Sequence, residues 1–282
     1  MPTLQTAFTD FHDAIKLSDF DENATLREKR DILLDKLKSR ISSDAASYTY
    51  FNQGSYAMHT GISPDDGDFD IDVGLRFAVD KEDYPDPTVL KKWVRDALDG
   101  HTKSVEIRKP CVTVKYQRDG ESIYHVDFAI YAAGNADGKL YLARGKEFSE
   151  ADNKFWEESD PLELIRLVRE KFEGTDAQQF RRVIRYLKKW KSQKFDSNGH
   201  AAPTGISLTV LAYNLFSPNY TVDVFKSGAR TYNDFAALRS LVKSIRQKFV
   251  MEFDENNNIC YSICVNILTP PHNDLFEKMT LN

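Results

Sequence analysis

Asp70 and Asp72 stand one residue apart, fifteen residues after Gly54-Ser55, in the stretch FNQGSYAMHTGISPDDGDFDIDVGLRF. Side chains alternate along a strand, so the two carboxylates point to one face. Like charges held that close need a counter-charge, and a divalent metal is the usual one. Gly54 and Ser55 offer backbone N–H groups and a hydroxyl to phosphate. Together they describe a device that grips a triphosphate and holds Mg2+ against it, which is the chemistry of nucleotidyl transfer.

The acidic run at Asp65, Asp66 and Asp68 also allows a plain solvated turn or a calcium loop. The calcium loop fails on register. Counted from Asp68, the sixth position should be Gly and is Val73, and the twelfth should be Glu and is Val79. Phe69, Ile71, Val73, Leu75 and Phe77 alternate as a half-buried strand does, and an acidic pair built into such a strand is costly without a metal.

Two ions and an activated hydroxyl call for a third carboxylate. Asp127 is the candidate, because Tyr124, Val126, Phe128 and Ile130 form the opposite, apolar face of its strand. A salt bridge to Lys115 on the paired strand is the competing reading. One ion would sit on the triphosphate with Asp70 and Asp72. The second, shared with Asp127, would lower the pKa of an attacking ribose hydroxyl. Mn2+ is the alternative ion.

A triphosphate also needs cations. Between Phe180 and Gln193, helical spacing puts Arg181, Arg185 and Lys188 on one face and Val183, Ile184, Leu187 and Trp190 on the other. The basic face reads either as solvated surface or as phosphate contacts, carried by Arg185 and Lys188. Ser207, near the start of the next helical segment, reads equally as a phosphate contact or as a capping residue. His59, His125 and His200 show no metal-ligand spacing, and no Walker-type phosphate loop is present.

The positioning elements follow from periodicity. Helices are expected at Leu4–Ile15 and Leu26–Ile41, the latter with Asn23 as N-cap, and from Asp86-Pro87 to Gly100. Strands are expected at 69–78, 104–108, 111–117 and 122–131, with a hairpin turn at Asp119-Gly120. From Pro161 the pattern is helical, including Phe235–Val250. Residues 1–160 are therefore expected to form a mixed-sheet lobe that includes the N-terminal helices, themselves straddling both bodies, and 161–282 a helical lobe, with Phe148–Asp160 as the crossover between them.

The chain has 282 residues and a net charge of −5, which argues against a protein built to grip long nucleic acid. Apolar runs are too short to span a membrane, and the acidic, amphipathic start does not look like a signal peptide, so cytoplasm is the expected address. Cys111, Cys260 and Cys264 form neither a C-x-x-C pair nor an even set, so buried thiols are expected.

Gly54-Ser55, Asp70-x-Asp72 and Asp127 resemble the signature of the polymerase-β-like nucleotidyltransferases. Within that superfamily the chain is similar to the cGAS/DncV-like nucleotidyltransferases (CD-NTases) of bacterial CBASS antiphage operons. Val183-Ile-Arg-Tyr-Leu-Lys-Lys-Trp190 is similar to the family's spine-side helix, and Pro271–Met279 also resembles it. The resemblance implies an α+β, bilobal fold with the active site in the cleft. It implies Asp70, Asp72 and Asp127 as ligands of two Mg2+ ions. Gly54 and Ser55 would lie against the donor phosphates of a nucleoside triphosphate such as ATP, with Arg185, Lys188 and Ser207 near the triphosphate. The implied product is a cyclic di- or trinucleotide that activates a separate effector protein. A transferase adding nucleotides to RNA or protein is the runner-up, and a nucleotide-sensing non-enzyme the third reading. The family's animal DNA sensor carries a zinc ribbon that this chain lacks, so dependence on long DNA is not expected. Leu208 stands where the sensor has a base-stacking Tyr, which leaves base choice unread. Members often continue with a further helix beyond the point where this chain stops.

Overall fold

The structure is a computed structural model, and it describes residues 3–17, 21–65, 69–102, 104–118, 121–195, 202–225, 228–254, 256–277 and 279. The expected turn at Asp119-Gly120, together with Asp66, Asp68 and His200, lies outside the described residues.

The first half runs α1 (Leu4–Ile15), α2 (Asp21–Arg40), β1 (Tyr48–Asn52), α3 (Gly54–Ala57), β2 (Phe69–Phe77), α4 (Thr88–Leu98), β3 (Ser104–Ile107), β4 (Val112–Arg118), β5 (Glu121–Ala132), β6 (Tyr141–Arg144) and β7 (Phe155–Glu158). These strands form one mixed sheet in the order β1-β2-β5-β4-β3, with β6 and β7 continuing from β5. Among the described residues only β2 and β5 pair in parallel. One sheet face is closed by α2 and α4. Leu26, Leu33 and Leu37 of α2 and Leu90, Val94 and Leu98 of α4 meet Ile71, Val73, Leu75, Val126, Phe128 and Ile130, all with no exposed surface. Burying each such side chain contributes about 1.5–3 kcal/mol.

The second half is helical: α5 (Pro161–Glu170), α6 (Gly174–Lys194), α7 (Gly205–Leu215), the hairpin β8 (Tyr220–Asp223) and β9 (Ala229–Tyr232), α8 (Asp234–Arg246), and the hairpin β10 (Val250–Phe253) and β11 (Ile259–Ser262). Its core gathers Phe180, Val183, Ile184, Leu211 and Leu241. The α1 residue Ile15 belongs to this second core, while α2 belongs to the first. The two N-terminal helices therefore divide between the two bodies.

Three local expectations are corrected. Asn23 lies inside α2, not at its cap. The segment 148–160, expected as a crossover, contributes β7 to the sheet. Val250, expected to end the helix that starts at Phe235, instead opens β10, and α8 stops at Arg246. Lys91 is a buried cation under the sheet lobe. Its Nζ donates to the carbonyls of Arg108, Lys109 and Gly145 at 3.0, 2.8 and 2.9 Å. Burial pulls its pKa down to about 7.

Candidate active site

The parallel register of β2 and β5 sets Asp70 beside His125 and Asp72 beside Asp127. The antiparallel register of β4 and β5 sets Thr113 beside Asp127 and Lys115 beside His125. With period-2 alternation, these six side chains occupy one face of three adjacent strands, and the apolar partners occupy the other. The three predicted carboxylates are thus brought together by strand pairing alone.

Asp72 is the most constrained. Burial, followed by the charges of Asp70 and Asp127, pushes its pKa up to about 8. A Cβ on Gly54 would lie 1.7 Å from Asp72 Oδ2, and Gly54 has φ +66°. Only glycine fits both the close approach and the left-handed backbone. Gln53, just before it, donates its backbone N–H to the Asp72 carbonyl at 3.0 Å. Gln53 Oε1 accepts from the buried Tyr131 hydroxyl at 2.9 Å. The Gly54-Ser55 turn is therefore pinned to the strand that carries the acids.

Asp127 accepts from Thr113 Oγ1 at 2.5 Å. Its cross-strand neighbour is Thr113, and Lys115 is paired with His125 instead. His125 Nε2 lies 3.3 Å from Asp70 Oδ1. Ligand-capable atoms of Asp70, His125 and Asp127 all lie within 4.8 Å of one another. His125 was missed by sequence reasoning, which weighed the histidines only against each other. The signal was its place two residues before Asp127, on the same strand face.

The cleft beside these residues has two adjoining chambers of about 450 and 480 Å3. Ser55, Asp70, Lys188 and Lys191 line both. Gly54, Asp72 and Gly205 line the first, and His125 and Phe195 the second.

The basic helix is not a solvated face. Arg185 donates to the carbonyls of Gly61 and His59 at 3.0 and 2.7 Å. It lines a separate cavity with Arg27 and Arg169, away from the carboxylates. Lys188 is buried and donates to Thr60 O at 3.1 Å and Oγ1 at 3.0 Å, while still facing both chambers. Burial and the Arg185 charge pull its pKa down to about 7, against the opposing pull of Asp72. Further along α6, Lys189, Ser192 and Gln193 all bond to Asp65. The strip thus docks the segment that joins the Gly54-Ser55 turn to the acidic strand. Trp190, expected among the buried apolar residues, is half exposed and packs on Phe195. Ser207 is fully buried, and its hydroxyl donates to the Thr204 carbonyl at 2.8 Å. The N-cap of α7 is Thr204, whose side chain accepts from the Ser207 N–H.

The donor set is rich in carboxylate oxygen, the preference of Mg2+ and Mn2+, with one imidazole. A divalent cation there would offset the burial and the carboxylate repulsion that push the Asp72 pKa up, so the residues fit such an ion.

A mixed sheet that carries paired aspartates on one strand and a third on its parallel neighbour, facing a helical body, is the polymerase-β-like nucleotidyltransferase fold. Residues 48–131 match the family described as the nucleotidyltransferase domain of cyclic GMP-AMP synthase DncV-like proteins, so the chain carries a cGAS/DncV-like nucleotidyltransferase domain. It is 26% identical over 213 residues to a cyclic GMP-AMP synthase of Escherichia albertii, covering 71% of this chain and 44% of the relative. The chain thus spans less than half of that relative's length. Solved structures show the same fold. Vibrio cholerae DncV in complex with the linear intermediate 5′ pppA(3′,5′)pG superposes with a TM-score of 0.63 at 15% identity, covering 97% of this chain and 85% of that one. Bradyrhizobium diazoefficiens CdnG in complex with GTP gives 0.64 at 11% identity, covering 90% and 82%.

Proposed function

We propose that this chain is a metal-dependent nucleotidyltransferase that joins nucleoside triphosphates, ATP among them, into a cyclic di- or trinucleotide. The product would act on a separate effector in antiphage signalling, in the cytoplasm and without long DNA. The observation that carries the reading is the convergence of Asp70, Asp72 and Asp127 on one sheet face beside the Gly54-Ser55 turn. The named relatives, one a cyclic GMP-AMP synthase and one holding a linear dinucleotide, support the cyclising form. The two chambers that meet at Asp70 suit a donor and an acceptor nucleotide.

Asp70 and Asp72 would hold the ion on the donor triphosphate, and Asp127 would share the second ion beside the attacking hydroxyl. When bound, two Mg2+ ions supply charge neutralisation and a lowered hydroxyl pKa. The Ser55 hydroxyl and the Gly54 backbone face the donor phosphates. Lys188, on the other wall, adds positive charge, with Lys191 beside it. Arg185 acts through its grip on residues 59–61 and Ser207 through the turn that opens α7, so both shape the wall next to the triphosphate. Positioning and electrostatics do most of the work in such a transfer.

The deciding experiment incubates the protein with Mg2+ and each radiolabelled nucleoside triphosphate, singly and in mixtures, then adds phosphatase. A phosphatase-resistant small nucleotide is expected. Linear products alone would replace cyclisation with simple nucleotide addition, and no transfer with either Mg2+ or Mn2+ would overturn the enzymatic reading.

A further inference from the structure

Asp127 shares one sheet face with Asp70 and Asp72, and it is held by a buried hydroxyl on the neighbouring strand. Thr113 has no exposed surface. Its Oγ1 lies 2.5 Å from Asp127 Oδ1, and the O–H donates. The contact is built by register, because Thr113 and Asp127 are directly opposed on β4 and β5 and their side chains share the cleft face. Position 113 is flanked by Val112 and Val114, which point to the other face and have no exposed surface. A polar residue in this strand is therefore specific to the face that carries the acids.

A threonine hydroxyl has a single proton, and here that proton is committed to the carboxylate. Its lone pairs remain to accept. The thiol of Cys111, two residues earlier on the same face, lies 3.5 Å from Thr113 Oγ1. Cys111 also makes a side-chain hydrogen bond to Asp127 itself, so thiol and hydroxyl converge on one carboxylate. Cys111 is buried. The result is a buried thiol and a buried hydroxyl gathered on one carboxylate where β4 begins.

A carboxylate has two oxygens and two rotatable bonds. Holding Oδ1 against Thr113 restricts rotation of the group and leaves the other oxygen to meet a further partner. Outer partners of this kind orient the groups that hold a metal, and displacing a reacting group by about 1 Å can cost roughly a hundredfold in rate.

We propose that Thr113, backed by Cys111, is the positioning residue of Asp127: it sets the orientation in which the carboxylate meets the metal and touches neither substrate nor ion itself. The proposal rests on the reading of Asp127 as a metal ligand.

The test compares wild type with Thr113→Val, Thr113→Ala and Thr113→Ser. Mn2+ affinity is measured by electron paramagnetic resonance titration without nucleotide. Melting temperature is measured on the same samples, and kcat and KM are measured with ATP and GTP. Valine preserves the shape and removes the hydroxyl, alanine removes it with less bulk, and serine restores it. Thr113→Val and Thr113→Ala are expected to weaken Mn2+ binding about tenfold and to lower kcat about 10- to 100-fold. The KM for ATP should move little, and Thr113→Ser should recover most of both losses. Variants that melt at lower temperature but bind Mn2+ as the wild type does would make the role merely structural and overturn the proposal. So would a serine variant no better than valine. A wild type that binds no Mn2+ would remove the underlying reading as well, whereas wild-type binding with unaltered variants removes the proposal alone.

Discussion

β2 and α6 both carry charge to the same cleft, in opposite states of balance. On β2, Asp70 and Asp72 crowd against Asp127, and the repulsion joins with burial to push Asp72 up to about 8. On α6, four cations find partners within the fold: Arg185 the carbonyls of His59 and Gly61, Lys188 Thr60, Lys189 Asp65 and Arg182 Asp234, while Lys188 and Lys191 also face the cleft. Charge that the fold leaves unbalanced marks where a ligand of opposite sign binds. Charge that the fold matches marks where two segments are held together. The count of charged residues on an element does not tell these apart, but their partners do.

The largest effect should come from the unbalanced side. Asp70→Asn combined with Asp72→Asn should cut product formation by roughly a thousandfold or more, since electrostatic stabilisation of the transferring group is lost. The double variant should melt no lower than wild type, because the clustered charge is removed. A folded double variant with normal turnover would break the comparison at its first half.

Arg182→Ala probes the matched side. The guanidinium bonds Asp234, whose side chain is fully buried, at 2.6 and 2.8 Å. Stranding that carboxylate should cost about 3–5 kcal/mol of stability, read by denaturant titration, with nucleotide affinity of the folded protein kept. Gln179 and Tyr186 also donate to Asp234, which places the expected loss at the lower end.

Lys188 and Arg185 sharpen the contrast within one helix face. Lys188→Ala should weaken ATP binding by about 1.5–3 kcal/mol, the scale of a charge-assisted hydrogen bond. Arg185→Ala should chiefly lower the melting temperature, because its contacts are carbonyls of the loop. Calorimetry and melting curves on both variants check this, and equal losses of affinity would return Arg185 to the phosphate site.

The smallest effect is a pH slope at Lys91, which lies away from the cleft. Its pKa is about 7 in the folded protein, below the ordinary lysine value of about 10.4. The unfolded chain therefore binds the extra proton between these pH values, so the Lys91 contribution to stability rises with pH across that window. Lys91→Met should remove up to about 1.4 kcal/mol per pH unit of that rise, measured by urea titrations at pH 7, 8 and 9. Parallel slopes in the two proteins would show that the three carbonyl acceptors hold the lysine charged throughout.

The acidic site was readable in the sequence because a strand decides side-chain direction locally, with period 2. Asp70, Asp72 and Asp127 needed only their own strands to be seen. The same rule would have exposed His125 and Thr113 once the register of β4 and β5 was known, but register is set by pairing, not by either strand alone. The partners of the α6 strip were not legible for a different reason. They lie in residues 59–65, more than a hundred positions away, and helical spacing reports the face of a residue without reporting what covers it.

The most direct test of the account is a calorimetric titration of a non-hydrolysable ATP analogue into wild type and into the Asp70→Asn, Asp72→Asn variant, with Mg2+ or with EDTA. The account predicts binding to wild type in Mg2+ that falls at least about tenfold in EDTA, since the triphosphate and the carboxylates then repel. It predicts no Mg2+ dependence in the double variant. Equal affinity of wild type for the analogue in Mg2+ and in EDTA would contradict it.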